Sequence, residues 1–198
     1  MVDFAGWSMP VQYSSVISEH NATRDAVGVF DISHMGRIRF EGDGAAAFLD
    51  RLVTRRVTDM RVGQVRYALV TNEQGGILDD VLVYHLETPS SRRYYLLVVN
   101  ASNRAKVMDW IGAQWTEADY VTVTDRTLDT AMIAVQGPHA VNIVNRLVDA
   151  DVASMKYYHG RVTSQMHKTC IVSRTGYTGE DGCELVVRNE DALQVWQN

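Results

Sequence analysis

The stretch Arg174-Thr-Gly-Tyr-Thr-Gly-Glu-Asp-Gly-Cys-Glu184 sets three glycines at three-residue intervals among one tyrosine and several acids, with an apolar run on each side. Glycine permits a positive φ or a close approach of two backbones. The stretch can therefore hold Tyr177 and Glu184 at the mouth of a sheet. From composition alone, a solvated hairpin loop fits the same residues equally well.

A second run, Asn72-Glu-Gln-Gly-Gly-Ile-Leu-Asp-Asp80, is a double-glycine turn that leads directly into a strand-like segment. Because successive side chains of a strand point to opposite faces, Asp79 and Asp80 are predicted to diverge. Only one of them can share a face with Leu82 and Tyr84. Taken alone, the two acids are more simply interpreted as a pair at the end of a turn.

Composition bounds the class of protein. With 198 residues, 46% hydrophobic and 22% charged, the chain can bury a sizeable core in one or two domains. The net charge of −5 argues against a nucleic-acid binder, which normally carries a basic stripe. No apolar run approaches the roughly 20 residues that a membrane span needs, so no membrane partner is expected. The two cysteines, Cys170 and Cys183, lie in strand-like segments and are predicted to be buried thiols.

The interior alternates between helical and strand periodicity. Strands are predicted at 37–41, 65–70, 77–86, 94–99, 121–124, 131–135 and within 160–184, and helices after Ser14 or Ser15, Asp43, Asn100 or Asn103, Pro138 and Asn189. The first helix is predicted to place Val16, Ile17, His20 and Val27 on one face. Hairpins rather than long crossovers join several strands, which predicts an α+β fold with mostly antiparallel sheets and flanking helices.

Two kinds of site are not expected. Gly42-Asp-Gly-Ala-Ala-Ala47 matches a loose dinucleotide-binding pattern, but the preceding strand places Arg37 and Arg39 on one face, whereas a central parallel strand should be apolar on both. The helix that follows is also short. No metal site is predicted, because the six histidines never fall at ligand spacing.

The two runs above recur, in order, with four further motifs: Asp3-Phe-Ala-Gly-Trp-Ser-Met-Pro10, Phe30-Asp-Ile-Ser-His-Met-Gly36, Val98-Val-Asn-Ala-Ser-Asn103 and Gln136-Gly-Pro138. Together they resemble the T-protein family, the aminomethyltransferases of the glycine cleavage system. The resemblance runs from Asp3 to the last residue. T-proteins are nearly twice this length, so the chain is similar to their N-terminal half.

The resemblance implies a fold of two intertwined domains of the folate-binding T-protein type. Residues 1–38 and 136–198 would form a discontinuous first folate-binding domain. Residues 39–135 would form an inserted α+β, ferredoxin-like domain. The periodicity of the sequence alone does not reveal this discontinuity.

The resemblance also implies a reaction. T-proteins transfer a one-carbon unit from an aminomethyl group, carried on the dihydrolipoyl arm of a carrier protein (H-protein), to tetrahydrofolate, with release of ammonia. The expected co-substrate is tetrahydrofolate and the expected partner is the lipoyl carrier. The expected compartment is the cytoplasm in a bacterium or the mitochondrial matrix in a eukaryote. These 198 residues alone are expected to bind folate weakly and to be inactive.

Site residues follow from the same resemblance. Asp80 matches the catalytic acid of the family, and Asp79 would take a hydrogen-bonding role on the other face. Glu184 matches the glutamate that binds the pterin. The positions around the folate are Tyr67, Tyr157, Tyr177, Met35 and the backbone at Val98 and Asn100.

Alternatives stay open at this point. A folate-dependent demethylase, or the folate domain of a dimethylglycine or sarcosine dehydrogenase, would share the Asp and Glu positions. A non-catalytic folate-binding protein of the same fold is a third possibility. The aspartate at position 80 argues against it. One departure from the family pattern is Cys183, which stands where an aromatic residue commonly precedes the glutamate.

Overall fold

The computed structural model describes residues 1–198, which form two compact units. The split unit comprises Met1–His34 and Asp129–Asn198, and the inserted unit comprises Met35–Leu128. Strand pairing explains these boundaries, which differ from the expected 38 and 135. Residues 36–38 pair within the inserted unit, and residues 130–135 pair within the split unit.

Twelve strands and five helices make up the chain. The strands are β1 (Val2–Phe4), β2 (Trp7–Met9), β3 (Gly28–Asp31), β4 (Gly36–Glu41), β5 (Val65–Thr71), β6 (Ile77–Glu87), β7 (Arg93–Val99), β8 (Thr122–Asp125), β9 (Thr130–Gln136), β10 (Gly160–Gln165), β11 (Lys168–Ser173) and β12 (Gly182–Arg188). The helices are α1 (Val16–Asp25), α2 (Ala45–Leu52), α3 (Arg104–Gln114), α4 (Ala140–Leu147) and α5 (Ala192–Gln197).

The split unit is built on a five-stranded sheet in the order β10-β11-β12-β9-β3, with β1 and β2 as a separate hairpin. Apolar residues of β9, β11 and β12 pack against α4 and α5. The core on this face contains Ala131, Ile133, Val135, Ala140, Val144, Cys170, Val172, Cys183, Leu185, Val187 and Val195. Even-numbered residues of β12, including Glu184, therefore lie on the opposite face.

The inserted unit is built on a second five-stranded sheet, in the order β5-β6-β7-β4-β8. Helices α2 and α3 cover one face. The core between them and the sheet contains Ile38, Phe40, Phe48, Leu49, Leu52, Ala68, Val70, Val81, Val83, Leu97, Val99, Val107 and Ile111. Every strand pair in both sheets is antiparallel, so the predicted α+β class is confirmed.

Two local predictions need correction. Helix α1 starts after Ser15, whose hydroxyl oxygen accepts the amide N–H of Ser18, as predicted. The helix is shorter than the predicted face, because Val27 lies beyond its last residue, and Val16 and Ile17 are 58% and 75% exposed. The helix is attached through its last turn instead, where the amide N–H of His139 donates to the Ala26 carbonyl at 3.1 Å.

Asp43 does not cap α2. The N-cap is Gly44, and no side chain caps the helix. A β-carbon at Gly44 would lie 1.7 Å from the Asp119 carbonyl oxygen, and one at Gly42 would lie 2.3 Å from that of Tyr120. The two glycines of the dinucleotide-like pattern thus serve a close backbone approach inside the inserted unit.

Gln136, at the end of β9, is 1% exposed and connects several segments of the split unit. Its Nε2 donates to the carbonyls of Thr175 at 3.0 Å and Cys183 at 3.2 Å, and its Oε1 accepts from Thr178 Oγ1 at 3.0 Å. A β-carbon at Gly176 would lie 2.0 Å from Gln136 Oε1, and one at Gly182 would lie 2.5 Å from its Cδ. Two of the three glycines in the opening stretch are therefore required by the space that this amide occupies.

We expect Gly182→Ala to destabilise the fold by about 1–3 kcal/mol, because the added methyl would meet Gln136 and, at 2.6 Å, the backbone oxygen of Val135. The matched control is Gly112→Ala in α3, where nothing lies within 4 Å of the new carbon. That helical substitution should stabilise by about 0.5–1 kcal/mol. Urea unfolding of both variants measures the difference, and equal effects would contradict the proposed packing.

Candidate functional site

Asp80 and its predicted neighbours lie on one face of the inserted unit's sheet. In the antiparallel register, Tyr67 lies opposite Leu82, and Leu82 lies opposite Val98. Asp80, two residues from Leu82, points to the same face. This is the face opposite α2 and α3.

The prediction that Asp79 and Asp80 diverge is confirmed. Asp79 points toward the helix-covered face and is 2% exposed, whereas Asp80 is half-buried on the opposite face. Asn100, just after β7, contacts both. Its Nδ2 lies 2.9 Å from Asp79 Oδ1 and 3.0 Å from Asp80 Oδ1, and it also donates to the Asp80 carbonyl at 3.0 Å.

Asp79 has two further donors. The backbone N–H of Asn100 reaches its Oδ2 at 2.9 Å, and Asn103 Nδ2 reaches its Oδ1 at 2.6 Å. A buried carboxylate with this many N–H donors is well satisfied. Asp80, by contrast, accepts a side-chain hydrogen bond from the protein through Oδ1 only. Its Oδ2 therefore remains as an acceptor for another group.

The other predicted residues of the inserted unit differ in exposure. Tyr67 is 41% exposed, Val98 is buried and Met35 is half-buried. The Met35 carbonyl accepts a hydrogen bond from the guanidinium of Arg37, which also donates to the Thr127 carbonyl. Arg37 is completely buried, which corrects the half-buried strand that the alternation of 37–41 predicted.

In the split unit, Glu184 is 5% exposed and lies opposite Ser173 on β11. One carboxylate oxygen, Oε2, accepts from the hydroxyl of Thr175. The Thr175 hydroxyl is in turn 2.7 Å from Ser173 Oγ. This chain of hydroxyls orients the Glu184 carboxylate on the face opposite the split unit's core.

The two predicted tyrosines of the split unit are more exposed. Tyr157 donates from its hydroxyl to the Gly176 carbonyl at 3.3 Å, and Tyr177 is 63% exposed. Burial, followed by the neighbouring Tyr158 and the charges of Glu184 and Asp181, raises the pKa of Tyr157. The phenol therefore keeps its proton around neutral pH and can donate it to the Gly176 carbonyl.

Arg174 and Thr175 support the segment that carries Glu184, and the sequence analysis predicts no role for either of them. Arg174 binds both carboxylate oxygens of Asp181, at 2.6 and 2.7 Å, and donates to the Met155 carbonyl at 3.1 Å. The seven-residue spacing from Arg174 to Asp181 was the available signal. The pair closes the glycine-rich loop ahead of Glu184.

No group of three or more His, Cys, Asp or Glu side chains is arranged to hold a metal ion. No helix is long and apolar enough to cross a membrane.

Comparison with known proteins identifies the family. The family model described as the GCVT N-terminal domain matches residues 1–198. The chain belongs to this family. Curated relatives of this GCVT N-terminal domain are named aminomethyltransferase: the one from Chloroherpeton thalassium is 43% identical over 99% of the chain, and the one from Streptomyces avermitilis is 44% identical over 100%.

The chain spans about half the length of these relatives, 53% and 52% respectively. Among solved structures, the glycine cleavage system aminomethyltransferase T from Bartonella henselae is 30% identical, with a TM-score of 0.86 over 99% of this chain and 52% of that one. A heterotetrameric sarcosine oxidase from Corynebacterium shares the fold at 15% identity, with a TM-score of 0.62 over 89% of this chain and 85% of that one.

Neither cysteine of this GCVT N-terminal domain is available as a nucleophile. Burial raises the pKa of Cys170 to about 12 and that of Cys183 to about 12, from an ordinary 9.0. Thiolate is the reactive form, and each pKa unit changes its population about tenfold.

We therefore expect iodoacetamide at pH 8 to label the folded chain at least about a thousandfold more slowly than the urea-unfolded chain. The unfolded thiols release protons first as the pH rises, so their contribution to stability is lost between pH 9 and about 12. Rapid labelling of both folded thiols at pH 8 would contradict this assignment.

Proposed function

We propose that this chain supplies the catalytic and folate-binding carboxylates of a tetrahydrofolate-dependent aminomethyltransferase of glycine cleavage. Such an enzyme transfers a one-carbon unit from an aminomethyl-dihydrolipoyl carrier protein to tetrahydrofolate and releases ammonia. The observation that carries the proposal is the Asp80 carboxylate, fixed through Oδ1 by Asn100 and without a side-chain partner on Oδ2. Membership of the GCVT N-terminal domain family supports it.

The chemistry suits a fixed anion. Loss of ammonia and closure of the folate ring both pass through cationic, iminium-like species. A preorganised carboxylate lowers their energy most where water is excluded. In this proposal Asp80 supplies the negative charge and relays a proton at the reacting folate nitrogens. Asn100 contributes by holding the carboxylate in one orientation.

Glu184 is proposed to bind the pterin of tetrahydrofolate. A carboxylate can accept from a ring N–H and an exocyclic amine together, and charged acceptors make the stronger hydrogen bonds. The Thr175 hydroxyl supports this role, because it orients the carboxylate before any ligand arrives. Tyr67, Tyr157 and Tyr177 have exposed rings that suit flat aromatic ligand faces, with hydroxyls for polar edges.

The proposed protein partner is the lipoyl carrier that presents the aminomethyl group. Because the chain spans about half the length of its relatives, turnover is to be measured in an enzyme of the relatives' length that carries this chain as its N-terminal half.

In that enzyme, Asp80→Asn should lower turnover by at least about a hundredfold while changing the dissociation constant for tetrahydrofolate less than about threefold. The amide keeps the shape but loses the charge and the proton acceptor. Asp109→Asn, the same change on an exposed position of α3, is the matched control and should leave turnover unchanged. Ammonia release from the loaded carrier measures both. Wild-type turnover in Asp80→Asn would overturn the catalytic role.

Glu184→Gln should weaken tetrahydrofolate binding by about 1.5–3 kcal/mol, because an amide presents a donor to the donor edge of the pterin. Glu190→Gln is the control, since Glu190 is exposed and paired only with the equally exposed Arg188 in the same unit. Titration calorimetry with tetrahydrofolate measures both variants. Unchanged affinity in Glu184→Gln would show that the pterin binds elsewhere.

A further inference from the structure

Asn103 donates its side-chain amide to Asp79 and does not contact Asp80. The distance from Asn103 Nδ2 to Asp79 Oδ1 is 2.6 Å, the shortest of the contacts that Asp79 receives from Asn100 and Asn103. Asn103 also stands at the N-cap position of α3, but its side chain makes no capping hydrogen bond. Asn103 has helical backbone angles and ends the 3-10 turn Ala101–Asn103 that runs into α3, so its side chain is not placed to cap the helix. Here the side chain is directed to Asp79 instead.

Asp79 in turn helps to determine which way the Asn100 side chain points, together with the Asp80 carbonyl. An asparagine amide carries a donor and an acceptor of nearly equal size, so a half-turn about its last bond would present oxygen to both carboxylates. Asp79 Oδ1 lies 2.9 Å from Asn100 Nδ2, and Oδ2 accepts the Asn100 backbone N–H. The first contact requires the side-chain nitrogen on the aspartate side, and the second holds the Asp79 carboxylate in place beside it. That orientation is the one that donates to Asp80 Oδ1 at 3.0 Å.

We propose that Asn103 is a positioning residue for Asp80, acting through Asp79 and Asn100. Asn103 and the backbone N–H of Asn100 fix the Asp79 carboxylate from two sides. The fixed carboxylate holds the Asn100 amide, and the amide commits one oxygen of Asp80 and leaves the other for the substrate. The catalytic part of this inference rests on the proposed function of Asp80. The structural part concerns the orientation of the Asn100 amide alone.

Removing Asn103 should therefore affect kcat more than KM. In an enzyme of the relatives' length, Asn103→Ala should lower kcat about tenfold and change the KM for tetrahydrofolate less than about twofold. The Asp80 carboxylate remains in this variant, but its orientation is no longer fixed. The matched control is Thr88→Ala. It removes a side-chain acceptor of the Arg92 N–H, at 3.1 Å, in the turn at the other end of β6 and β7, and should leave kcat unchanged.

A double-mutant cycle separates positioning from a general loss of stability. If Asn103 acts through Asn100, adding Asn103→Ala to Asn100→Ala should change kcat less than about twofold, since the route is already broken. Independent, multiplicative effects of the two substitutions would overturn the proposal. If Asn103→Ala does not fold, as judged by circular dichroism, Asn103→Ser is used in the same cycle, and the same two outcomes apply.

Side-chain amide exchange tests the structural part without turnover. In ¹⁵N-labelled chain of 198 residues, the Nδ2 protons of Asn100 should exchange with solvent at least about tenfold faster in Asn103→Ala than in wild type or Thr88→Ala. Unchanged exchange would overturn the inference whatever the kinetics show. Faster exchange in a protein whose turnover is unaffected by Asp80→Asn would instead contradict the proposed function alone.

Discussion

The buried amide of Gln136 is the constraint on which the split unit depends. A side-chain amide removed from water needs hydrogen-bond partners for its donors and its acceptor. Without them, the desolvation of the amide destabilises the fold. Gln136 makes these hydrogen bonds with Thr175, Thr178 and Cys183. The partners lie near the two ends and in the middle of the glycine-rich stretch. These contacts hold the stretch against the end of β9, and Glu184 follows directly after it.

The inserted unit uses a comparable arrangement built on a carboxylate. Asp79 is as buried as an apolar core residue, and donors from Asn100 and Asn103 satisfy it. Removing one of these donors leaves a buried carboxylate oxygen with fewer hydrogen bonds, and this costs part of the desolvation penalty of that group. In both units, then, a buried polar group with several hydrogen bonds lies close in sequence or register to a proposed functional carboxylate, Gln136 to Glu184 in one and Asp79 to Asp80 in the other.

The sequence predicts best where a local rule decides the structure. Strand alternation is enough to separate Asp79 from Asp80, and the double glycine at 75–76 is enough to place the hairpin between β5 and β6. It fails where burial is decided by distant segments. Arg37 looks like a solvent-facing residue of a half-buried strand, but the carbonyls of Met35 and Thr127, the latter 90 residues away, allow its guanidinium to be buried. The exposed Val16 and Ile17 show the converse, because helical spacing identifies a face but not what covers it.

The candidate site divides along the same line. Only the family resemblance predicts functional roles for Asp80 and Glu184, because residue type alone does not distinguish them from other acids at the ends of turns. What the geometry adds is a physical reason for the doublet Asp79-Asp80. The two neighbouring carboxylates, on opposite faces, share one amide, because Asn100 Nδ2 lies within hydrogen-bond distance of both. In the positioning role proposed for Asn103, the first aspartate helps to orient the second. An asparagine at position 79 would turn an N–H donor toward another donor in either orientation, because both carboxylate oxygens of Asp79 accept N–H groups.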